Sequence, residues 1–369
     1  MDCMSIKNLC RLLAASVLLI SLGCKKEDPI EFPDDPGGAT NNTYSGVNIT
    51  GTSWTSVEGC SVLPQSRLKA IATVDTKLIY TFITANNISG KYNGSVFNLG
   101  TQSAWDFGSG SGIEEIVFSN GNPYGLGALG GHGAFTFDVE AYWSWGEVAS
   151  GGLFTLGTNA YALAEFNGNR VVGCGNNPYV RTESTGNWEQ LGEGLDGPVY
   201  DLLEFNGDLI AGGSFSNSGS TPVNGVAKWN GTEWLPLGEG LDGGAYELVE
   251  FENQLIAIGN FSQSGSGNTA CRYVAAWNGT TWEDLDGGLI GGNNGARKVL
   301  VYYDQLFIAG DFESAGGLAS SNIVKWTSTG WEALPGINTI IGDITVFQEH
   351  LYAVNAFDVT NGNFLLRLD

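Results

Sequence analysis

The amino-acid sequence predicts an all-β fold built from repeated four-stranded units, and one stretch carries the observations that predict it. Apolar residues alternate with others in Tyr200–Phe205, the period of a strand with one buried face. Asn206-Gly207, a dipeptide that suits a tight hairpin turn, separates this run from a second apolar run at Leu209–Gly213. A further hairpin follows at Val226–Leu237, and the pattern recurs in Gly244–Gly288. Four short strands per repeat are typical of one blade of a β-propeller.

Counting the repeats predicts the number of blades. The last apolar residue of the first strand recurs at Val74, Phe118, Phe166, Phe205, Phe251, Tyr302 and Phe347. The tryptophan of the fourth strand recurs at Trp54, Trp105, Trp145, Trp188, Trp234, Trp282 and Trp331. Both series have seven members, so the sequence predicts a seven-bladed β-propeller of four-stranded blades over residues 51–369.

The two series are out of phase at the ends of the chain, and this predicts how the ring closes. Trp54 precedes the first complete first strand, Leu68–Val74, so a lone fourth strand opens the domain. The last hairpin, Asp343–Phe357, is followed by a single further strand at Asn363–Asp369. We therefore expect Gly51–Val57 to complete the last blade, which would remove both exposed sheet edges.

The N-terminus is typical of an export signal. Lys7 and Arg11 precede the apolar run 12–22, which is too short to span a bilayer, so residues 1–23 are predicted to be a signal peptide. The run ends in Ser-Leu-Gly-Cys, which resembles a bacterial lipobox with Ser in place of the usual first Leu. The resemblance implies that Cys24 is lipidated. The alternative is an ordinary cleaved signal that happens to lie next to a cysteine.

The segment after Cys24 bears on localisation. Lys25–Asp28 resembles the lysine-then-acidic tag of surface-exported lipoproteins of the Bacteroidota, which implies an outer-membrane lipoprotein exposed on the cell surface. The alternative is a charged tether with no export role. Residues 29–50 are rich in Pro, Gly, Asn and Asp, so we expect residues 24–50 to form the lipidated cysteine and a flexible tether.

The charge of the chain restricts its partners. The formal net charge is −23, from 39 acidic and 16 basic residues. Such a surface repels phosphate backbones and anionic lipids, so nucleic acid is excluded as a partner and membrane contact is expected only through the lipid anchor. Composition gives no indication of the oligomeric state.

Three cysteines lie in the predicted domain: Cys60, Cys174 and Cys271. They show no metal-ligand spacing. Cys174 replaces the second glycine of a Gly-Gly pair, so we expect it to be a small buried apolar residue. A single disulfide among the three remains open.

The run Leu209–Gly213 followed by Trp229 resembles the kelch-type repeat of the galactose-oxidase central domain, and the Gly-rich phrases resemble propeller repeats of bacterial surface proteins. The resemblance implies a fold but no activity, because propellers host many functions. A copper site of the galactose-oxidase kind needs two histidines, two tyrosines and a cysteine. The chain has only His132 and His350, so we expect neither a copper site, a zinc site nor a Ser-His-Asp triad.

Acidic residues recur in the loops that join a fourth strand to the next first strand: Glu193, Asp196, Glu239, Asp242, Asp284 and Asp286. These loops are predicted to lie near the central channel, where the carboxylates could form a ring for Ca²⁺, amines or sugar hydroxyls. Otherwise no cofactor is expected. The alternative, which we favour, is turn chemistry, with Gly for backbone freedom and Asp for local hydrogen bonds.

An irregular blade supplies the second candidate site. Trp188, Trp234, Trp282 and Trp331 recur in register and are predicted to lie in the core between blades. Tyr142 and Trp143 do not recur, and exposed aromatics of this kind can stack on sugar rings. Together with Tyr124 and His132, they are the predicted ligand-binding group.

These observations predict a cell-surface lipoprotein whose propeller is a non-catalytic module that binds a glycan or a protein. One alternative is a carbohydrate-active enzyme that uses a pair of the loop carboxylates. Another is a purely structural component of an outer-membrane surface complex.

Overall fold

A computed structural model describes residues 53–56, 67–74, 77–83, 87–92, 95–101, 112–119, 122–129, 132–137, 145–147, 160–184, 187–264, 269–347, 349–355 and 365–369. The predicted signal peptide and the tether with Cys24 lie outside these residues. Every regular element within them is a strand, and none is a helix long and apolar enough to cross a membrane.

The described residues form seven four-stranded antiparallel sheets. The first sheet contains β2 (Arg67–Val74), β3 (Lys77–Ile83), β4 (Asn87–Tyr92) and β5 (Ser95–Thr101). The second contains β6 (Gly112–Ser119), β7 (Asn122–Leu129), β8 (His132–Phe137) and β9 (Trp145–Glu147). The third contains β10 (Ala160–Phe166), β11 (Asn169–Cys174), β12 (Val180–Ser184) and β13 (Asn187–Gln190). The fourth contains β14 (Val199–Phe205), β15 (Asp208–Gly213), β18 (Val226–Trp229) and β19 (Trp234–Pro236). The fifth contains β20 (Ala245–Phe251), β21 (Gln254–Gly259), β24 (Val274–Trp277) and β25 (Trp282–Asp284).

The last two sheets differ in how they are completed. The sixth contains β27 (Gly295–Tyr302), β28 (Gln305–Asp311), β31 (Ile323–Thr327) and β32 (Gly330–Ala333). The seventh contains β33 (Ile341–Phe347), β34 (His350–Asn355), β35 (Leu365–Leu368) and, from the other end of the chain, β1 (Trp54–Ser56). The described loops add short ladders of β16 (Asn217–Ser218) with β17 (Thr221–Pro222), β22 (Gln263–Ser264) with β23 (Thr269–Ala270), and β26 (Leu289–Ile290) with β29 (Ser314–Ala315) and β30 (Leu318–Ala319).

The strands of each sheet end on two opposite sides of the sheet, which differ in how the strands are connected. At one, which we call the turn edge, the first strand passes to the second and the third to the fourth, mostly through short turns. Asn206 (φ 52°) and Gly207 (φ 80°) form such a turn, in the left-handed backbone region that Asn and Gly tolerate best. At the other, which we call the loop edge, the second strand passes to the third and the fourth leads to the next sheet. These connections are longer except in the second sheet, where two residues separate β7 from β8 and seven separate β8 from β9.

The first strand of every sheet carries the same irregularity. Its register with the second strand shifts near the loop edge, between Leu68/Ile71, Ile113/Glu115, Ala160/Ala162, Val199/Asp201, Ala245/Glu247, Ala296/Lys298 and Ile341/Asp343. Such a β-bulge leaves a residue out of the ladder and re-aims its side chain. The seven first strands therefore share this feature of backbone geometry.

The first strands also lie beside one another in chain order. Contacts join β2 to β6, β6 to β10, β10 to β14, β14 to β20, β20 to β27, β27 to β33, and β33 to β2. Apolar cores fill the spaces between neighbouring sheets. One core, for example, packs Phe166 and Val171 of the third sheet against Leu202 and Trp234 of the fourth.

Tryptophans of the fourth strands join successive sheets through hydrogen bonds. The indole Nε1 of Trp234 donates to the Leu191 carbonyl (3.1 Å), and that of Trp282 donates to Leu237 (3.1 Å). Trp331 likewise donates to the carbonyl of Leu285 at 2.9 Å. These bonds explain why tryptophan recurs here, because a buried indole needs an acceptor for its N–H.

β1 takes the place of a fourth strand in the seventh sheet. Trp54, Thr55 and Ser56 pair antiparallel with Leu368, Arg367 and Leu366. The indole of Trp54 donates to the carbonyl of Pro335 at 2.6 Å, as the other fourth-strand tryptophans do to the sheet before theirs. The N-terminal strand is thus attached to both the sixth and the seventh sheet.

The structure also shows where the predicted elements were imprecise. The last hairpin begins at Ile341 rather than at 343, and its described part reaches Asn355; the described part of the final strand is Leu365–Leu368. The short ladders in the loops were not predicted, because strands of two residues show no apolar period.

Candidate functional site

Three tyrosines form a continuous row across neighbouring sheets at the loop edge. Tyr161, Tyr200 and Tyr246 are the residues left out of the ladder at the bulges of β10, β14 and β20. The ring centroids of Tyr161 and Tyr200 are 5.6 Å apart with the planes at 53°, and those of Tyr200 and Tyr246 are 5.6 Å apart at 73°. All three side chains are partly buried. We call these residues the tyrosine row.

Arg297 continues the row into the sixth sheet, since it is the residue left out at the bulge of β27. Burial raises the pKa of Tyr246, and neighbouring Tyr200 raises it further, while the positive charge of Arg297 partly opposes both effects. Tyr246 is therefore a neutral hydrogen-bonding phenol at physiological pH.

Small or polar residues lie next to the row, at the ends of the second strands. Gly175 leaves room for a ring, because a Cβ there would lie 2.7 Å from Cε2 of Tyr161. Asn260 accepts a hydrogen bond from the Gly244 amide (2.8 Å). Asp311 accepts from the Asn293 and Asn294 amides at 3.0 and 3.2 Å, and from the Asn294 side chain at 2.7 Å.

Two members of the predicted acidic ring hold the loops of their own sheets together. Asp196 accepts hydrogen bonds from the amides of Ser216 (2.7 Å) and Asn217 (2.9 Å), and from the Asn217 side chain (2.9 Å). Asp242 does the same with the Ser262 and Gln263 amides (2.7 and 2.9 Å) and the Ser262 hydroxyl (2.7 Å). These bonds reach residues 20 or 21 positions along the chain, in a second loop of the same sheet, whereas the turn chemistry that the sequence analysis favoured is local.

These contacts determine the charge of the two carboxylates. Partial burial alone would raise the pKa of Asp196 and of Asp242, but hydrogen bonds from residues 216–217 and 262–263 outweigh it and lower both pKa values. Asp311 has a lowered pKa for the same reason, helped by the charge of Arg297. All three groups are therefore anionic at neutral pH.

Two of the other predicted acidic residues accept hydrogen bonds, one through its side chain and one through its backbone. Asp284 accepts a hydrogen bond from the Gly287 amide (2.6 Å), and the backbone carbonyl of Asp286 accepts one from Trp331 Nε1 (3.3 Å). Glu193 and Glu239 are exposed on the loops after β13 and β19. Among the described residues, no three His, Cys, Asp or Glu side chains are grouped closely enough to hold a metal ion.

The predicted aromatic group falls largely outside the described residues. Tyr142 and Trp143 belong to the undescribed segment 138–144. Tyr124 pairs with Thr136 and His132 with Leu129, so these two backbones lie at opposite ends of the β7–β8 hairpin. At about 3.4 Å per residue they are roughly 14 Å apart along the strands.

Two of the three cysteines of the domain can be located. Cys174 and Cys271 are both buried, and Cys60 lies outside the described residues. Burial, together with the charges of Asp242 and Asp284, raises the pKa of Cys271 to about 12. Its thiol is therefore unreactive at neutral pH.

Sequence reasoning missed the tyrosine row, although a signal was present. Tyrosine occurs two residues before the leucine of the first strand in three consecutive repeats, in Tyr161–Leu163, Tyr200–Leu202 and Tyr246–Leu248. The β-bulge hid it, because a strand that skips a residue no longer alternates between faces with a period of two.

Comparisons with known proteins identify the fold. No family model matches the chain, and no curated protein sequence is similar to it. A chain of the crystal structure of the mitotic checkpoint complex has 13% identity and a TM-score of 0.53, covering 94% of this chain and 99% of its own. YCF48, solved bound to the D1 peptide, has 13% identity and a TM-score of 0.51, covering 87% and 97%. Both are β-propellers, and the present chain has a β-propeller fold.

Proposed function

We propose that the seven sheets are the blades of one closed propeller, with β1 completing the seventh blade. Three observations support this: the shared β-bulge, the succession of first-strand contacts that returns from β33 to β2, and the pairing of β1 with β35. The hydrogen bond from Trp54 to Pro335 supports it further, because it repeats the contact made by fourth-strand tryptophans elsewhere in the chain.

We further propose that the protein is a non-catalytic binding module that holds a protein partner at the loop edge. The tyrosine row is the observation that carries this proposal. Partly exposed tyrosines offer a large contact area at small cost in conformational entropy, and they are enriched in protein interfaces for that reason. That YCF48 was solved with a peptide is consistent with a propeller serving this role.

Site-specific photo-crosslinking in living cells tests the proposed function. A photoreactive amino acid replaces Ser214, which is exposed at the loop edge, or Asn206, which is exposed at the turn edge. We expect one discrete protein adduct from position 214 and none from position 206. Equal adducts at both positions, or none at either, would refute a partner at the loop edge.

The lipid anchor and surface localisation are also proposals. We propose that Cys24 carries lipid and holds the protein at the outer membrane. The position of Ser53 supports a particular orientation of the domain on the membrane. Its backbone hydrogen bond with Asp369 (Asp369 N to Ser53 O, 3.0 Å) places it at the turn edge, opposite the tyrosine row. Replacing Cys24 with alanine should move the protein from the detergent phase to the aqueous phase in Triton X-114 partition. Unchanged partition would contradict lipidation.

The remaining alternatives stay predictions with their own tests. A glycan ligand would bind on a glycan array and be displaced by a free sugar. An enzyme would release sugars from a polysaccharide with repeated turnover. A structural component would co-purify with a stable complex, and its assembly would not depend on the tyrosine row.

A further inference from the structure

We infer that the tyrosine row binds a segment of the partner that is rich in arginine or lysine. This inference rests on the proposed function, a protein partner at the loop edge, and adds the chemistry of recognition. Two properties of the described residues support it: the ring geometry of the row and the charge of the loops around it.

The ring geometry leaves aromatic surface that can attract a cation. The tyrosines meet at 53° and 73° rather than in parallel, so neighbouring rings do not fully cover one another's faces. The face of an aromatic ring carries partial negative charge and attracts a guanidinium or ammonium group within about 6 Å of its centroid. Three such rings in succession offer several positions for the cations of one extended segment.

The loops around the row are predominantly acidic. The described loops at this edge carry the exposed acidic residues Glu193, Asp196, Glu239, Asp242, Asp286 and Glu313. Their one exposed basic residue is Arg272. Since Asp196 and Asp242 have lowered pKa values, they keep their charge even in mildly acidic solution. The loop edge therefore has a negative potential that favours the approach of a basic segment.

The turn edge also carries exposed acidic residues, among them Glu204, Glu252 and Asp304, so net charge alone does not distinguish the two edges. The loop edge differs because its carboxylates lie at the same edge as the tyrosine row. There Asp196 and Asp242 are held by neutral amides and hydroxyls, which leave their negative charge uncompensated.

Arg297 limits the row at one end. Its positive charge lowers the pKa of Asp311, so the two groups are close enough to interact. A basic segment is repelled there and attracted over Tyr161 and Tyr200. We therefore expect the Arg297→Gln variant to bind a basic peptide more tightly than the wild type.

The test measures peptide affinity by isothermal titration with the full-length protein. The probe is an octapeptide of alternating arginine and glycine, and its controls carry glutamine or glutamate in place of arginine. We expect the arginine peptide to bind, with an affinity that falls as salt rises, and both controls to bind far more weakly. Tyr200→Ala should weaken binding by about 3- to 30-fold, and Tyr200→Phe should retain most of it.

Tyr303 provides the matched control, since it is an exposed tyrosine at the turn edge. Tyr303→Ala should leave the affinity unchanged, and circular dichroism should show that both alanine variants are folded. Equal affinities of the Tyr200→Ala and Tyr303→Ala variants would overturn the inference, because attraction would then be due to net charge alone. Preference for the glutamine or glutamate peptide would overturn it too. Neither result would affect the crosslinking experiment, which tests the proposed function separately.

Discussion

Single carboxylates in the first strands join neighbouring sheets to one another. Asp201 accepts hydrogen bonds from its neighbour Leu202 (2.8 Å) and from the amide of Leu248 in the next sheet (2.6 Å). Glu247 accepts from Val299 (2.6 Å) and is paired with Lys298. Asp343 accepts from the amide of Ile71 (2.8 Å), which joins the seventh sheet to the first. These residues follow the bulges, where the first strand cannot satisfy every amide by itself.

Replacing Asp201 with alanine should therefore destabilise the protein. The change leaves the Leu248 amide without this acceptor in a buried place, which costs about 1–3 kcal/mol of the free energy of unfolding. Asp201→Asn keeps an oxygen acceptor and should cost less. Urea unfolding of the two variants measures the difference, and equal losses would contradict a role for the hydrogen bond.

The hydrogen bonds of Asp242 should also make stability depend on pH. Its pKa is lower in the folded protein than in the unfolded chain, so the ionised group stabilises the fold at all pH values above its unfolded pKa. That contribution is lost as the pH falls through the folded pKa. The Asp242→Ala variant should thus be less stable than the wild type at pH 7, and the difference should shrink below about pH 4. A difference that is constant from pH 7 to pH 3 would contradict this account.

The repeated strands show which parts of the fold the sequence could predict. The hairpin around Asn206-Gly207 was predictable, because apolar alternation and turn chemistry lie in adjacent residues. The bond between Asp201 and Leu248 was not, since its partners are a whole repeat apart and any exposed strand position tolerates an aspartate. The tyrosine row was predictable only in part. The recurrence of its members is visible in the sequence, but the face of the strand on which they lie is not, because of the β-bulge.

The fourth-strand tryptophans should contribute to stability in two separable ways. Trp234 is 1% exposed, so Trp234→Ala should lower the free energy of unfolding by about 3–5 kcal/mol through the cavity it creates. Trp234→Phe keeps most of the packing but loses the bond to Leu191, and should cost about 1–2 kcal/mol. Chemical denaturation of both variants measures these costs. If Trp234→Ala lowered the free energy of unfolding no more than Trp234→Phe, the placement of Trp234 in the core would be contradicted.

Across the whole molecule, a closed propeller explains why β1 and β35, which are far apart in the sequence, pair with each other. An open array would leave the outer edge of β35 unpaired, and such edges are prone to aggregation. The proposed closure also places the chain entry at the turn edge and leaves the tyrosine row on the opposite side, available to a partner. Binding at the loop edge and attachment through the N-terminus are thus compatible.

Closure is tested most directly by shortening the N-terminus of the protein. One variant begins at residue 51 and keeps β1, and the other begins at residue 58 and lacks it. We expect the first to unfold like the longer protein, and the second to lose about 3–5 kcal/mol, the cost of removing a packed tryptophan such as Trp54, in one cooperative transition that involves all the sheets. Identical unfolding of the two variants would contradict a ring closed by β1.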